Sequence, residues 1–170
     1  VRVVRGRGAA WIALGLASMV LGSTFPSQAQ GRMITVSSLA DNGRGTLREA
    51  IDLAVSGDTI VFGVSGALHL QTSLTIGKSL TIDGAGRVTL DGQGQTGLIE
   101  HVGGDLLLRE LTLVGGNRPS GGAIRQLDGW LTLEGCRLEN NRADYGGAIR
   151  VEWPRDGQLP QTEIRRSTFV

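Results

Sequence analysis

Between Leu106 and Val151 the chain states one pattern twice, 25 residues apart. Leu106-Leu107-Leu108, Leu111-Thr112-Leu113 and Gly121-Gly122-Ala123-Ile124-Arg125 return as Leu131-Thr132-Leu133, Cys136-Arg137-Leu138 and Gly146-Gly147-Ala148-Ile149-Arg150, with no gap. A third copy opens after a shift of 31 residues, with Thr162-Glu163-Ile164 and Ser167-Thr168-Phe169. A fixed period of this length marks units too small to bury their apolar faces alone, so the copies must stack.

The unit is built from strands. Leu111 and Leu113 point one way and Thr112 the other, because a strand has a side-chain period of two. The apolar triplets are too short for helices, and no 3.6-residue spacing runs through them. Each copy therefore predicts one coil of three short strands joined by turns. Stacked coils would align inward columns Leu106-Leu131-Thr162, Leu108-Leu133-Ile164, Leu111-Cys136-Ser167, Leu113-Leu138-Phe169 and Ile124-Ile149. An outward column, Arg109-Glu134-Arg165, alternates in sign and checks the register independently, since opposite charges on adjacent strands attract. The pairs Gly121-Gly122 and Gly146-Gly147 precede a strand, where only glycine permits both positive φ and close backbone approach. Asn117, Asn140 and Asn141 fall in the turns before them; asparagine there tolerates the left-handed region and bonds its own backbone. The run from Pro154 to Pro160 accounts for the longer third spacing and reads as a loop bulging from one corner.

Composition agrees. Glycine is frequent, 27 of 170 residues, and aromatics are few, which suits turn-rich β structure. Seventeen basic residues face 16 acidic ones, without the basic excess expected of a nucleic-acid binder. Only Lys78 among the basic residues is lysine.

Residues 1–29 have the form of a signal peptide: Arg2, Arg5 and Arg7, then an apolar run from Ala9 to Gly22, then Ser27-Gln28-Ala29 before Gln30. The run is shorter than the roughly 20 residues a membrane span needs. Export to the periplasm, the cell surface or the medium is the expectation. Residues 30–58 form an N-terminal cap region. Ile34-Thr35-Val36 predicts a strand, and Asp41-Asn42-Gly43-Arg44-Gly45 a turn. Thr46 and Glu49 form a capping box. Leu47, Ala50, Ile51 and Ala54 make one apolar face of a short helix that Gly57 would end. Such an element can cover the first coil, whose interior and strand edge would otherwise face water. Residues 59–170 are the coils, starting with Thr59 to Phe62 and continuing through the alternating Leu68-His69-Leu70, Leu74-Thr75-Ile76, Leu80-Thr81-Ile82 and Val88-Thr89-Leu90. Asp83-Gly84 and Asp91-Gly92 are read as turns. The third copy stops within a strand, predicting further coils, a C-terminal cap or self-association at that end.

Gly45-Thr46-Leu47-Arg48-Glu49-Ala50-Ile51, with Ser37 to Asp41 before it and Gly57-Asp58-Thr59-Ile60 after it, resembles the CSLREA-type region that precedes β-helices in exported bacterial proteins. Gly-Gly-Ala-Ile at 121–124 and 146–149 resembles the polymorphic outer membrane protein repeat. Its partner motif, Phe-x-x-Asn, is met by Leu138-Glu139-Asn140-Asn141 with leucine for phenylalanine, and Gly116 stands where the earlier copy would have asparagine. The resemblance implies an all-β, right-handed parallel β-helix with a short N-terminal capping helix, secreted or on the cell surface. It implies no reaction, because such helices carry both enzymes and inert supports.

The residues themselves offer little chemistry. Cys136 is the only cysteine and falls in an inward column, a small core residue rather than a reactive thiol. His69 and His101 are read as solvated surface residues. Asp83, Asp91, Asp105, Asp128, Asp144 and Asp156 mostly adjoin glycine, which is turn chemistry rather than a pair of glycosidase carboxylates or a calcium cage. No catalytic residue, cofactor or metal is expected. Arg125 and Arg150 hold equivalent outward positions and are the candidate face for an anionic ligand. Trp130, Trp153 and Tyr145 are scattered candidates for sugar stacking. The expected role is structural, adhesive or ligand-binding without catalysis, toward a cell-surface glycan or another protein. The alternatives are the N-terminal part of a pectate-lyase-like enzyme and a fragment of an autotransporter passenger.

Overall fold

The computed structural model describes residues 31–152 and 159–170. The leader assigned to residues 1–29 lies outside them, as does most of the expected corner loop, Pro154 to Gln158. Strand β1 (Met33–Val36) leads into helix α1 (Leu47–Leu53), and every later element is a strand. Along the main sheet the order is β1, β2 (Asp58–Phe62), β5 (Leu80–Asp91), β6 (Ile99–Val114), β7 (Ile124–Glu134) and β10 (Gln161–Arg165). All of these pair in parallel. The fold is thus an all-β parallel β-helix.

The remaining strands show how a coil turns. β3 (Gly66–His69) pairs with the second half of β5, and β4 (Leu74–Ile76) with the start of β6. β8 (Arg137–Glu139) joins β6 to β11 (Thr168–Phe169), and β9 (Ile149–Val151) pairs with β7. β5, β6 and β7 each run through a corner, where the ladder shifts register and then resumes. Asp83-Gly84, expected as a break, is instead a bend inside β5: the register slips between Asp83 and Val88, and Ala85 and Gly86 carry positive φ. Three faces per coil remain, as the triplets predict.

The expected columns are present and extend toward the N-terminus. Leu108 stacks on Leu133, and Ile164 follows, with Ile82 and Ile60 on the other side. Leu68, Leu90, Leu113, Leu138 and Phe169 form a second column, and Leu74, Ile99, Ile124 and Ile149 a third. Most of these side chains are fully buried, each contributing about 1.5–3 kcal/mol by removal from water. The outward charge column starts one coil earlier than expected, at Asp83, and Arg109 lies between Asp83 (3.8 Å) and Glu134 (3.0 Å). Its last step is not made. Glu134 pairs with Arg166, while Arg165 turns to Glu163, 2.8 Å away on its own strand.

Helix α1 lies against β1 and β2, with Leu47, Ala50, Ile51 and Ala54 buried, as a cap requires. Thr46 accepts a hydrogen bond from the Glu49 N–H at 3.3 Å. The reciprocal bond differs from the usual capping box: the Glu49 carboxylate takes the N–H of Gly45, at 2.6 Å. The helix ends at Leu53 rather than near Gly57, because Ala54 is already extended. Beyond it, Asp58 accepts bonds from the backbone N–H groups of Arg32 and Val55 and from the Arg32 guanidinium. Arg32 in particular holds the Asp58 carboxyl down to about 2.

The sole lysine fastens this cap. Lys78 Nζ donates to the carbonyls of Ile51 (2.9 Å) and Ala54 (2.8 Å), neutralising the C-terminal end of α1 from the following coil. Arg48 ties the helix to the coil in the other direction, donating to the carbonyls of Thr72 and Ser73. Lys78→Met should cost about 1–2 kcal/mol. Amide exchange in α1 should accelerate while β6 and β7 keep their protection; unchanged exchange in α1 would contradict the fastening.

Candidate functional site

Outward positions are where a β-helix can meet a ligand, and two faces merit description. On the first, Arg125 and Arg150 stack in register as expected. Both are engaged by acidic neighbours. Arg125 bridges Glu100 (3.0 Å) and Glu152 (3.2 Å), and Arg150 lies 3.8 Å from Glu152 with its guanidinium over the Tyr145 ring at 5.9 Å. Ser120 donates to Glu152 as well, at 2.8 Å. That hydroxyl and then the two arginines lower the Glu152 carboxyl below the usual range, against the opposing effect of burial. Arg125 therefore already holds anions of the chain itself, while Arg150 makes only a long ion pair, its Nε buried without a hydrogen bond.

The second face is the outer surface of the main sheet. Asp105 pairs with Trp130, and Trp130 with Gln161. Beside them runs the outward column Thr59, Thr81, Leu107, Thr132 and Glu163. A hollow of about 210 Å³ lies over these strands, bordered by Gly57, Ser79, Thr81, Asp105, Leu107 and Thr132, with Trp130 as its wall. On the far side of Trp130 is a second hollow of about 450 Å³, bordered by Asp105, Asp128, Gly129, Leu159 and Gln161. The indole, 50 % exposed, stands between the two. Alternation places it there: Leu131 and Leu133 point inward, so Trp130, Thr132 and Glu134 point out.

The histidines divide. His69 is exposed as expected and pairs with Asp91 at 3.1 Å. His101 is not on the surface: it is completely buried, stacked between Ile76 and Gln126. Its Nε2 lies 3.1 Å from the Gly104 carbonyl, which requires Nε2 to carry the hydrogen. Gln126 repeats the arrangement one coil on, donating to the Gly129 carbonyl at 2.9 Å. It also donates to the Gln161 carbonyl and accepts from the Thr162 hydroxyl, at 3.0 and 2.5 Å. Polar side chains thus stitch the corner and bind the last coil. The repeat could have revealed this, since a shift of 25 maps Ile99-Glu100-His101 onto Ile124-Arg125-Gln126, with the third residue inward.

Cys136 is buried, its thiol donating to the Leu108 carbonyl at 3.3 Å; burial pushes the thiol up, away from reactivity. Asp83 and Asp91 accept from the N–H two residues on, at 2.8 and 2.7 Å, the expected turn chemistry. Asn140 is left-handed as expected. Asn141 departs from expectation: it bonds the preceding coil, accepting from Gly116 N–H (2.8 Å) and donating to the Leu113 carbonyl (2.9 Å). Among the described residues no group of three His, Cys, Asp or Glu is placed to hold a metal. The chain matches no family model and no curated protein.

Proposed function

We propose that this chain is an exported β-helix module, secreted or on the cell surface, that supports or adheres and has no catalysis of its own. The observation that carries the reading is the state of the outward charges. Asp83, Arg109 and Glu134, and Glu100, Arg125 and Glu152, are spent on one another along the axis. Charge used in this way makes a stiff, solvated rod. Single exposed pairs contribute little, roughly 0–1 kcal/mol, but a continuous column resists slippage between coils. The CSLREA-like segment and the Gly-Gly-Ala-Ile repeats favour the same class of exported protein. Ile164, Phe169 and Val170 are exposed on the last described coil, an apolar face suited to adhesion.

Expression of the full sequence in a bacterial host, followed by mass spectrometry, should give an exported product beginning at Gln30. The purified product should leave pectate and alginate chains intact. A cytoplasmic, full-length product would count against export. Shortened polysaccharide would place the protein with pectate-lyase-like enzymes instead.

A further inference from the structure

We propose that the outer face of the main sheet beside Trp130 is a binding site for a neutral oligosaccharide; the proposal rests on the adhesive reading above and names its ligand class. The groove crosses the coils of Gly57, Ser79, Asp105 and Trp130. Three strand spacings of about 4.8 Å give it a length of about 14 Å, suited to a short extended chain. It ends against a half-exposed indole. Leu131 and Leu133, its neighbours on β7, point inward and are buried, whereas the indole points outward, so its exposure gains nothing for the core. An indole presents a flat apolar face, and the C–H face of a pyranose ring is its complement.

The polar lining narrows the ligand further. Asp105 is exposed at the groove, and an ionised carboxylate only accepts hydrogen bonds, so it suits the hydroxyl donors of a sugar. Thr81 and Thr132 add hydroxyls that donate or accept. Among the described residues no cation borders the groove, and the outward arginine on the same strand, Arg109, is held by Asp83 and Glu134. An anionic polysaccharide would meet Asp105 without compensation. This separates the groove from the Arg125 and Arg150 face, where the side chains are basic but already paired.

The test uses the full exported protein with hexasaccharides of glucose, xylose and mannose, and hexagalacturonate as the anionic comparison, followed by calorimetry and tryptophan fluorescence. At least one neutral hexasaccharide should bind and perturb the fluorescence, and hexagalacturonate should bind more weakly. Trp130→Ala should weaken the interaction about tenfold or more, and Asp105→Asn less. Trp130→Phe should retain part of it. Salt at 0.5 M should change the affinity less than twofold, because screening acts on charge pairs. Absence of binding to every neutral sugar, or binding that survives Trp130→Ala, would overturn the site and leave the non-catalytic reading standing. Binding at Trp130 accompanied by cleavage would keep the site and remove that reading.

Discussion

Gly122→Ala should be among the most damaging single substitutions in this chain, costing about 3 kcal/mol or more. The reason is steric. A Cβ on Gly122 would lie 2.6 Å from the Arg142 carbonyl oxygen, 2.7 Å from the Arg142 nitrogen and 2.7 Å from the Gly147 carbonyl oxygen. All three atoms are backbone, so no rotamer change relieves the contact, and the coils would have to part. Gly122 N–H donates to that same Gly147 carbonyl, so parting them also breaks the ladder. The neighbouring Gly121 carries both demands: its φ of +62° is one that L side chains rarely adopt, and a Cβ there would run into the Ile124 carbonyl oxygen. A useful comparison is Gly43→Ala, where φ is +103° but no atom lies within 4 Å of the new Cβ. That variant should lose only about 1 kcal/mol, the conformational share alone. Chemical denaturation of the two variants separates crowding from dihedral cost; equal stabilities would refute the crowding argument.

The second large effect concerns His101 and acid. Burial pushes its imidazole below the ordinary value, against smaller opposing contributions from the Gly104 and Gly103 backbone and from Asp128 and Asp105. In the unfolded chain the ring takes a proton near about 6.5. Between that value and the lower folded one, the unfolded state binds more protons, so stability rises with pH across the window. The protein should be at full strength above about 6.5, weaken as pH falls through the window, and level off below the folded value. His101→Gln should hold its stability at neutral pH within about 1 kcal/mol and remove this portion of the acid loss. Glutamine already makes the same corner bond at Gln126. His101→Leu should also flatten the profile, but with about 1–3 kcal/mol lost at every pH, because the Gly104 carbonyl loses its donor. Thermal melts from pH 5 to pH 8 would decide; a wild-type acid slope retained in both variants would rule out His101 as its source.

The architecture was legible because it is periodic. A shift of 25 residues is enough to align Leu108 with Leu133 and Ile124 with Ile149, and strand alternation then assigns inside and outside. The cap was legible for a related reason: Thr46, Glu49 and the apolar spacing of Leu47, Ala50, Ile51 and Ala54 are local signals. These features depend only on neighbours in sequence or on exact repetition, so the chain by itself determined the coil, its register, its core columns and the helix that covers its end.

The tertiary structure alone decided the partners. Arg125 and Arg150 align in sequence as a bare basic pair, yet Arg125 is met by Glu100 and Glu152 from the coils on either side, and Arg150 by Glu152 two residues along its own coil. Asn141 reaches back to Gly116 and Leu113, and Lys78 reaches Ile51 and Ala54 across a coil boundary. Polarity makes His101 look like a surface residue although alternation with Ile99 places it inward; only the closed coil supplies the Gly104 carbonyl that satisfies its ring. Trp130 looked like one of three scattered aromatics until stacking set Asp105 beside it and left a hollow on each face. A side chain's environment comes mostly from residues one coil away, about 25 positions along the chain, and which atoms meet there depends on where each corner turns.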